Sequence, residues 1–187
     1  MGEDDVRKAL LQNLVQLGSE NYKENARILG ILDDKAQKTG ALAGAFLAAG
    51  FAFVKPENFQ TASVFASLPN LTLLAVSIGL LLACTILALA AMWIRSVPKP
   101  FSYGLLEKMT LDLLKNCPNG ISSSVHESFL HDQGGVWRRL LQEQELINSK
   151  KANLLRVAQV TLAAAIVIGA ILLLEIVSKT IVHRLGC

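Results

Sequence analysis

The chain has 187 residues, 52% hydrophobic and 18% charged, with a formal net charge of +3. A mean hydropathy of +0.42 and two runs without any charge, Leu71 to Ile94 and Val157 to Leu174, exclude a disordered chain, a collagen-like repeat and a disulfide scaffold, and point to a membrane protein. The charge bias is too weak over this length to argue for nucleic acid, and Cys84, Cys117 and Cys187 lie too far apart to suggest a disulfide framework or a zinc site.

In chain order, Val6, Leu10, Leu14 and Leu17 recur at helical spacing and predict an amphipathic helix. Gly18 and Ser19 set it apart from a second periodic stretch, Tyr22, Ala26, Leu29 and Leu32. No breaker follows Asp33, so this second helix is expected to run on into a Gly- and Ala-rich crossing from Thr39 to Val54. A helix rises about 1.5 Å per residue, and the hydrocarbon core is about 30 Å thick. The 16 residues between Lys38 and Lys55 therefore span it only if both lysines run their methylene stems along the lipid. Ala62 to Leu68 is apolar but too brief to cross; closed by Pro69, it is expected to lie on the outer face or prolong the next helix. Leu71 to Ile94 gives 24 uncharged residues, with Trp93 at an interface position and Arg95 beyond it.

Pro98 and Pro100 stop that crossing, Leu105, Met109 and Leu113 stripe a short helix, and Pro118, Asn119 and Gly120 end it. Ile121 to Gly135 reads as irregular. From Val136 onward Trp137, Leu140, Ile147 and Leu154 repeat at helical intervals and lead into a third crossing, Val157 to Val177, framed by Arg156 and Lys179. The expected architecture is all-α: one membrane domain over residues 1–187, with three transmembrane helices at about 39–54, 71–94 and 157–177, and cytoplasmic helical regions 1–38 and 95–156 forming a small bundle. The four segments outside the crossings carry six, one, nine and two Lys and Arg residues in turn. This alternation places the amino terminus and the long loop in the cytoplasm and the tail outside. The polar first 30 residues lack the apolar core of a cleavable signal.

Chemistry-bearing patterns are few. There is no strand pattern, no βαβ unit and no Gly-rich phosphate loop, so neither an enzyme nor a cofactor is expected. His126 and His131 stand five apart, which turns one ring about 140° from the other on a helix and does not suit zinc. Ser122, Ser123 and Ser124 beside His126 lack a nucleophile elbow. Glu175 is the one acid within an apolar stretch, and Lys179 follows at the i, i+4 spacing of a solvated interfacial pair. Small residues recur every four positions: Gly40, Gly44 and Ala48; Ala75, Gly79 and Ala83; Thr161, Ala165 and Gly169. Such ladders let helices approach closely within one chain or between copies.

Asp33, Asp34 and Lys35 stand directly before the first crossing, and Lys150, Lys151 and Arg156 directly before the third. On the expected topology these charges are level, either as ordinary interfacial charge, with Asp34 and Lys38 paired on one helix, or as a clamp between helices.

An amphipathic helix leading through Asp33, Lys35 and Ala36 into a Gly- and Ala-rich crossing resembles the transmembrane effector family of the Pycsar antiphage systems. So do the short outer loop, the proline-closed second crossing and the lysine-bearing approach to the third, Glu145 to Ala158. The related SLATT defence effectors share part of the pattern. The resemblance implies a homo-oligomeric plasma-membrane protein that damages the membrane during infection in response to a cyclic pyrimidine nucleotide. The chain departs from the family in having no segment suited to sensing a nucleotide, which implies a separate sensor or nucleotide cyclase as partner. Two other classes remain open from the residues alone: a non-toxic membrane anchor or scaffold for a cytoplasmic partner, and a small channel subunit.

Overall fold

The computed structural model of the chain describes residues 3–53, 68–94, 111–112 and 123–185. Among these residues the protein is all-helical, with three long helices and no strand: α1 (Glu3–Phe53), α2 (Leu68–Trp93) and α3 (Ser123–Leu185). The predicted short helix around Leu105, Met109 and Leu113, the stop signals Pro98, Pro100 and Pro118, and most of the outer segment Ala62 to Leu68 lie outside the described residues.

Two helical stretches, Pro69–Trp93 and Ser124–Lys179, are long and apolar enough to cross a membrane. Pro69 occupies the first turn of α2, where a missing N–H costs nothing, and its carbonyl accepts a hydrogen bond from the Thr72 hydroxyl at 2.8 Å. α1 does not qualify by the same measure. It is helical from Thr39 through Phe53, but Val54 lies outside the described residues, and the remainder falls short of the roughly 17 residues that a crossing takes.

Two sequence expectations fail for the same reason. Gly18 and Ser19 do not separate two helices, because α1 passes through them unbroken. Of the stretch from Ile121 to Gly135, the described part is not irregular either, since α3 begins at Ser123 and continues through Gly134 and Gly135. At Gly18 and Gly134 glycine serves packing rather than chain reversal. A Cβ on Gly18 would stand 2.9 Å from Cβ and Cγ of Trp137, and one on Gly134 would stand 2.6 Å from Cδ2 of Leu14.

The chain divides into two compact units, and α1 and α3 contribute to both. The first comprises residues 1–30 and 95–149. Within it the rings of Tyr22 and Trp137 lie 5.7 Å apart at 60°, a tilted aromatic pair. The expected stripe Val6, Leu10, Leu14 and Leu17 is exposed among the described residues, while Leu11, Val15 and Tyr22 are partly buried.

The second unit comprises residues 31–94 and 150–187 and holds two buried apolar clusters. Ala43, Leu47, Leu81, Cys84, Ala158, Leu162 and Ala165 form one cluster, and Ala36, Ala91 and Leu155 form another. On α3 the buried positions Lys151, Leu155, Ala158, Leu162 and Ala165 follow steps of four and three; so do Ser77, Leu81, Cys84, Ala88 and Ala91 on α2. That alternation is the heptad seam of helices packing knobs into holes. Alanine at so many seam positions lets backbones approach closely, which is how apolar helices gain contact energy where lipid competes for their side chains. Hydroxyls in these stretches stay satisfied locally. Thr85 donates to the Leu81 carbonyl, and Thr161 reaches the carbonyls of Val157 and Ala158.

Candidate functional site

The seam of α3 is interrupted by polar side chains. In the first unit the Gln144 and Asn148 amides donate to main-chain carbonyls of α1, at Tyr22 (3.5 Å) and Asn25 (3.2 Å). Both side chains are buried at positions where the heptad calls for an apolar residue. A buried amide that reaches a specific carbonyl favours one register over its neighbours, because a slip leaves the amide unpaired.

One turn farther along the same helix, in the second unit, stands Lys151. Its side chain is 1% exposed, and its ammonium pairs with the carboxylate of Asp33 on α1, which is 49% exposed. The same Nζ lies 3.5 Å from the carbonyl of Ile94, the residue that follows α2. A helix end presents carbonyls without intrahelical partners and carries partial negative charge, so a cation there is favoured. Lys151 thus ties α1 and α3 together and caps α2 with one charge. Ala36, Ala91 and Leu155 pack beside it, with Leu32, Met92 and Leu154 half-buried against them. Asp33 is six residues before Thr39 and Lys151 six before Val157, ahead of the amino-terminal ends of their apolar stretches, whereas Ile94 is the carboxy-terminal end of the run from Leu71.

The three motif residues carrying the family resemblance separate in space. Asp33 makes the pair and Ala36 is fully buried beside it, whereas Lys35 is exposed. Asp34 and Lys38 pair at 2.7 Å on the exposed side of the same helix. Farther back on α1, Arg27 donates two hydrogen bonds to Glu24, and these, together with the charge of Arg27, hold the Glu24 carboxyl below its ordinary range. Both residues are exposed, and the pair is a local feature of the helix surface.

The small-residue ladders divide into those used within the chain and those left outward. A Cβ on Gly40 would meet Ala88 Cβ at 3.4 Å; Ala165 is buried and accepts a hydrogen bond from the Ser77 hydroxyl at 3.3 Å; Gly169 lies near Ser77; and Ala83 is half-buried. At Gly44 and Gly79 an added Cβ would meet no atom within 4 Å, and Ala48 and Ala75 are exposed. Within the chain α1 packs through Ala36, Thr39, Ala43 and Leu47, and α2 through Ser77, Leu81, Cys84 and Ala88, so that Gly44, Ala48, Ala75 and Gly79 lie beside these faces.

His126 and His131 lie on the first turns of α3, and Glu127 between them faces Arg7 at 3.6 Å. No group of three His, Cys, Asp or Glu side chains suited to a metal gathers among the described residues. Glu175 and Lys179 pair at 2.5 Å, one turn apart. Sequence reasoning passes over Gln144, Asn148 and Ser77. The signal that finds them is the heptad phase of α3 and α2, which puts these polar residues on the seam and the more conspicuous Ile147 and Leu154 beside it. No family model, curated protein or solved structure matches the chain.

Proposed function

We propose that the chain is a three-span inner-membrane protein, amino terminus in the cytoplasm, that assembles with copies of itself and impairs membrane integrity in antiphage defence, with a separate sensor or nucleotide cyclase supplying the trigger. The Lys151 tie carries this reading. A lysine buried among three helices, with one carboxylate and one helix-end carbonyl as partners, is costly in a protein whose only task is to stay anchored. It suits a helix group that must hold one arrangement until a signal changes it. On this reading the tie lies at the cytoplasmic face, and the third span is completed by α1 from Thr39 onward, with Lys38 at the interface. Assembly uses Gly44, Ala48, Ala75 and Gly79, the small residues that the chain itself leaves uncovered. Neither catalysis nor a cofactor enters.

The test is induction in a bacterium, following membrane potential, dye entry and colony formation, with alkaline-extracted membrane blots as control. The parent protein is expected to depolarise cells and arrest growth. The double variant Asp33→Asn, Lys35→Gln is expected to insert but not to arrest. A parent without effect on growth overturns the effector reading.

The scaffold reading has one observation in its favour: the exposed apolar row Val6, Leu10, Leu14 and Leu17 on α1. It is the reading to adopt if the parent proves harmless and substitution of Leu10 and Leu14 by Ser abolishes co-purification of a cytoplasmic protein.

A further inference from the structure

The three helices of the second unit leave a groove open beyond the Ala43, Cys84 and Ala158 layer. Its volume is about 410 Å³, and its walls include Phe46 of α1, Leu74 and Ile78 of α2, and Ile166 and Leu173 of α3. The volume falls within the roughly 300–1,000 Å³ of pockets that take a small molecule. A methyl on Gly50 would meet Ile78 at 3.8 Å and one on Gly169 would meet Ser77 Oγ at 3.8 Å, ordinary van der Waals contact, so both lining positions accept a side chain without a clash.

We propose that this groove binds one acyl chain of a phospholipid, with the headgroup held at the level of Lys179. The inference rests on the membrane reading above and adds a specific lipid site to it. The lining carries no charge, and its one side-chain hydroxyl, Ser77, is already turned to the Ala165 carbonyl. A water needs two to four polar partners to reside in a cavity, so the occupant is apolar. The walls belong to α1 and to the two stretches apolar enough to cross a bilayer, and the apolar molecule that surrounds such helices is a lipid chain. Ile176 lines the far end, and Lys179 follows one turn later with its side chain 44% exposed and its ammonium 2.5 Å from Glu175. The headgroup of the proposed lipid would fall at the level of this pair, just beyond the last lining residue in the sequence.

The test reconstitutes the full chain in vesicles of phosphatidylethanolamine and phosphatidylglycerol doped with a phosphatidylethanolamine carrying a diazirine in one acyl chain, followed by photolysis and mapping of labelled residues. Label is expected on Leu81 and Leu172, which line the groove but are buried from the outer surface, as well as on the outward Ile86 and Leu89. Gly50→Leu, which projects a side chain into the space, is expected to lose the label on Leu81 and Leu172 and keep it on Ile86 and Leu89. Ala170→Phe fills the groove independently from α3 and should act alike, with helicity and alkaline-resistant insertion checking that both variants fold. Label confined to Ile86 and Leu89 in the parent overturns the groove proposal while leaving the membrane reading intact, and means that another part of the chain or a second copy closes the groove. Label at none of the four residues overturns the membrane reading together with the groove. Label on Leu81 and Leu172 that survives both filling variants overturns the groove as its source.

Discussion

Replacing Asp33 by Asn removes the countercharge and leaves the ammonium of Lys151 buried with two neutral acceptors at most, the new amide oxygen and the Ile94 carbonyl at 3.5 Å. Breaking a fully buried pair in this way costs about 3–5 kcal/mol. Here Lys151 is 1% exposed but Asp33 is 49% exposed, so water screens one side of the pair, and the expected loss falls to about 1–3 kcal/mol. Lys151→Met behaves differently. It removes the buried charge along with the pair, replaces the stem with an apolar chain of similar length, and is expected to be neutral within about 1 kcal/mol or stabilising. In the Lys151→Met background Asp33→Asn should then cost almost nothing, giving a coupling of about 1–3 kcal/mol between two residues in direct contact. The assay is unfolding in mixed micelles of dodecylmaltoside and dodecyl sulfate, followed by helicity for all four members of the cycle. Equal destabilisation by the two single variants, with no coupling, would refute the reasoning, because Lys151 would then act through packing alone.

Gly18→Ala is expected to destabilise the protein and shift Trp137 emission: overpacking against Cβ and Cγ of a ring that cannot retreat costs about 1–3 kcal/mol, more than the roughly 1 kcal/mol that alanine gains over glycine in a helix. Gly134→Ala, despite the shorter 2.6 Å approach, meets only the far end of the exposed Leu14 side chain, which can rotate away, so denaturation should show it neutral or slightly stabilised. Gly44→Leu should insert and unfold like the parent, since nothing lies within 4 Å of the added Cβ, while crosslinking in membranes loses its oligomer ladder; an unchanged ladder removes that face from assembly. Reporter fusions at Gly120 and after Cys187 should give opposite signals across the membrane, and equal signals would remove one crossing, with α1 the first to be doubted.

The periodicity of apolar residues was enough to indicate most of α1, α2, and α3 from Val136 onward, and the charge-free run from Leu71 to Ile94 marked a stretch long and apolar enough to cross a bilayer. It also indicated that nothing interrupts α1 between Asp33 and Thr39. Composition misleads where glycine reads as punctuation: Gly18, Gly134 and Gly135 lie inside helices, and what Gly18 and Gly134 face is Trp137 and Leu14 on another helix, a neighbour that local sequence does not display. The four-residue spacing of small side chains identified helices capable of close contact but not which face makes it. That choice depends on the phase of the 3.5-residue seam, set jointly by all packing partners, and it turned Ala43 and Ala88 inward and Gly44 and Gly79 outward. Charges level with one another were visible before the apolar runs, yet only the packed helices paired Lys151 with Asp33, because a turn of about 100° buries Lys151 and leaves its neighbour Lys150 exposed, and aims Asp33, still half-exposed, at Lys151 while Asp34 pairs with Lys38.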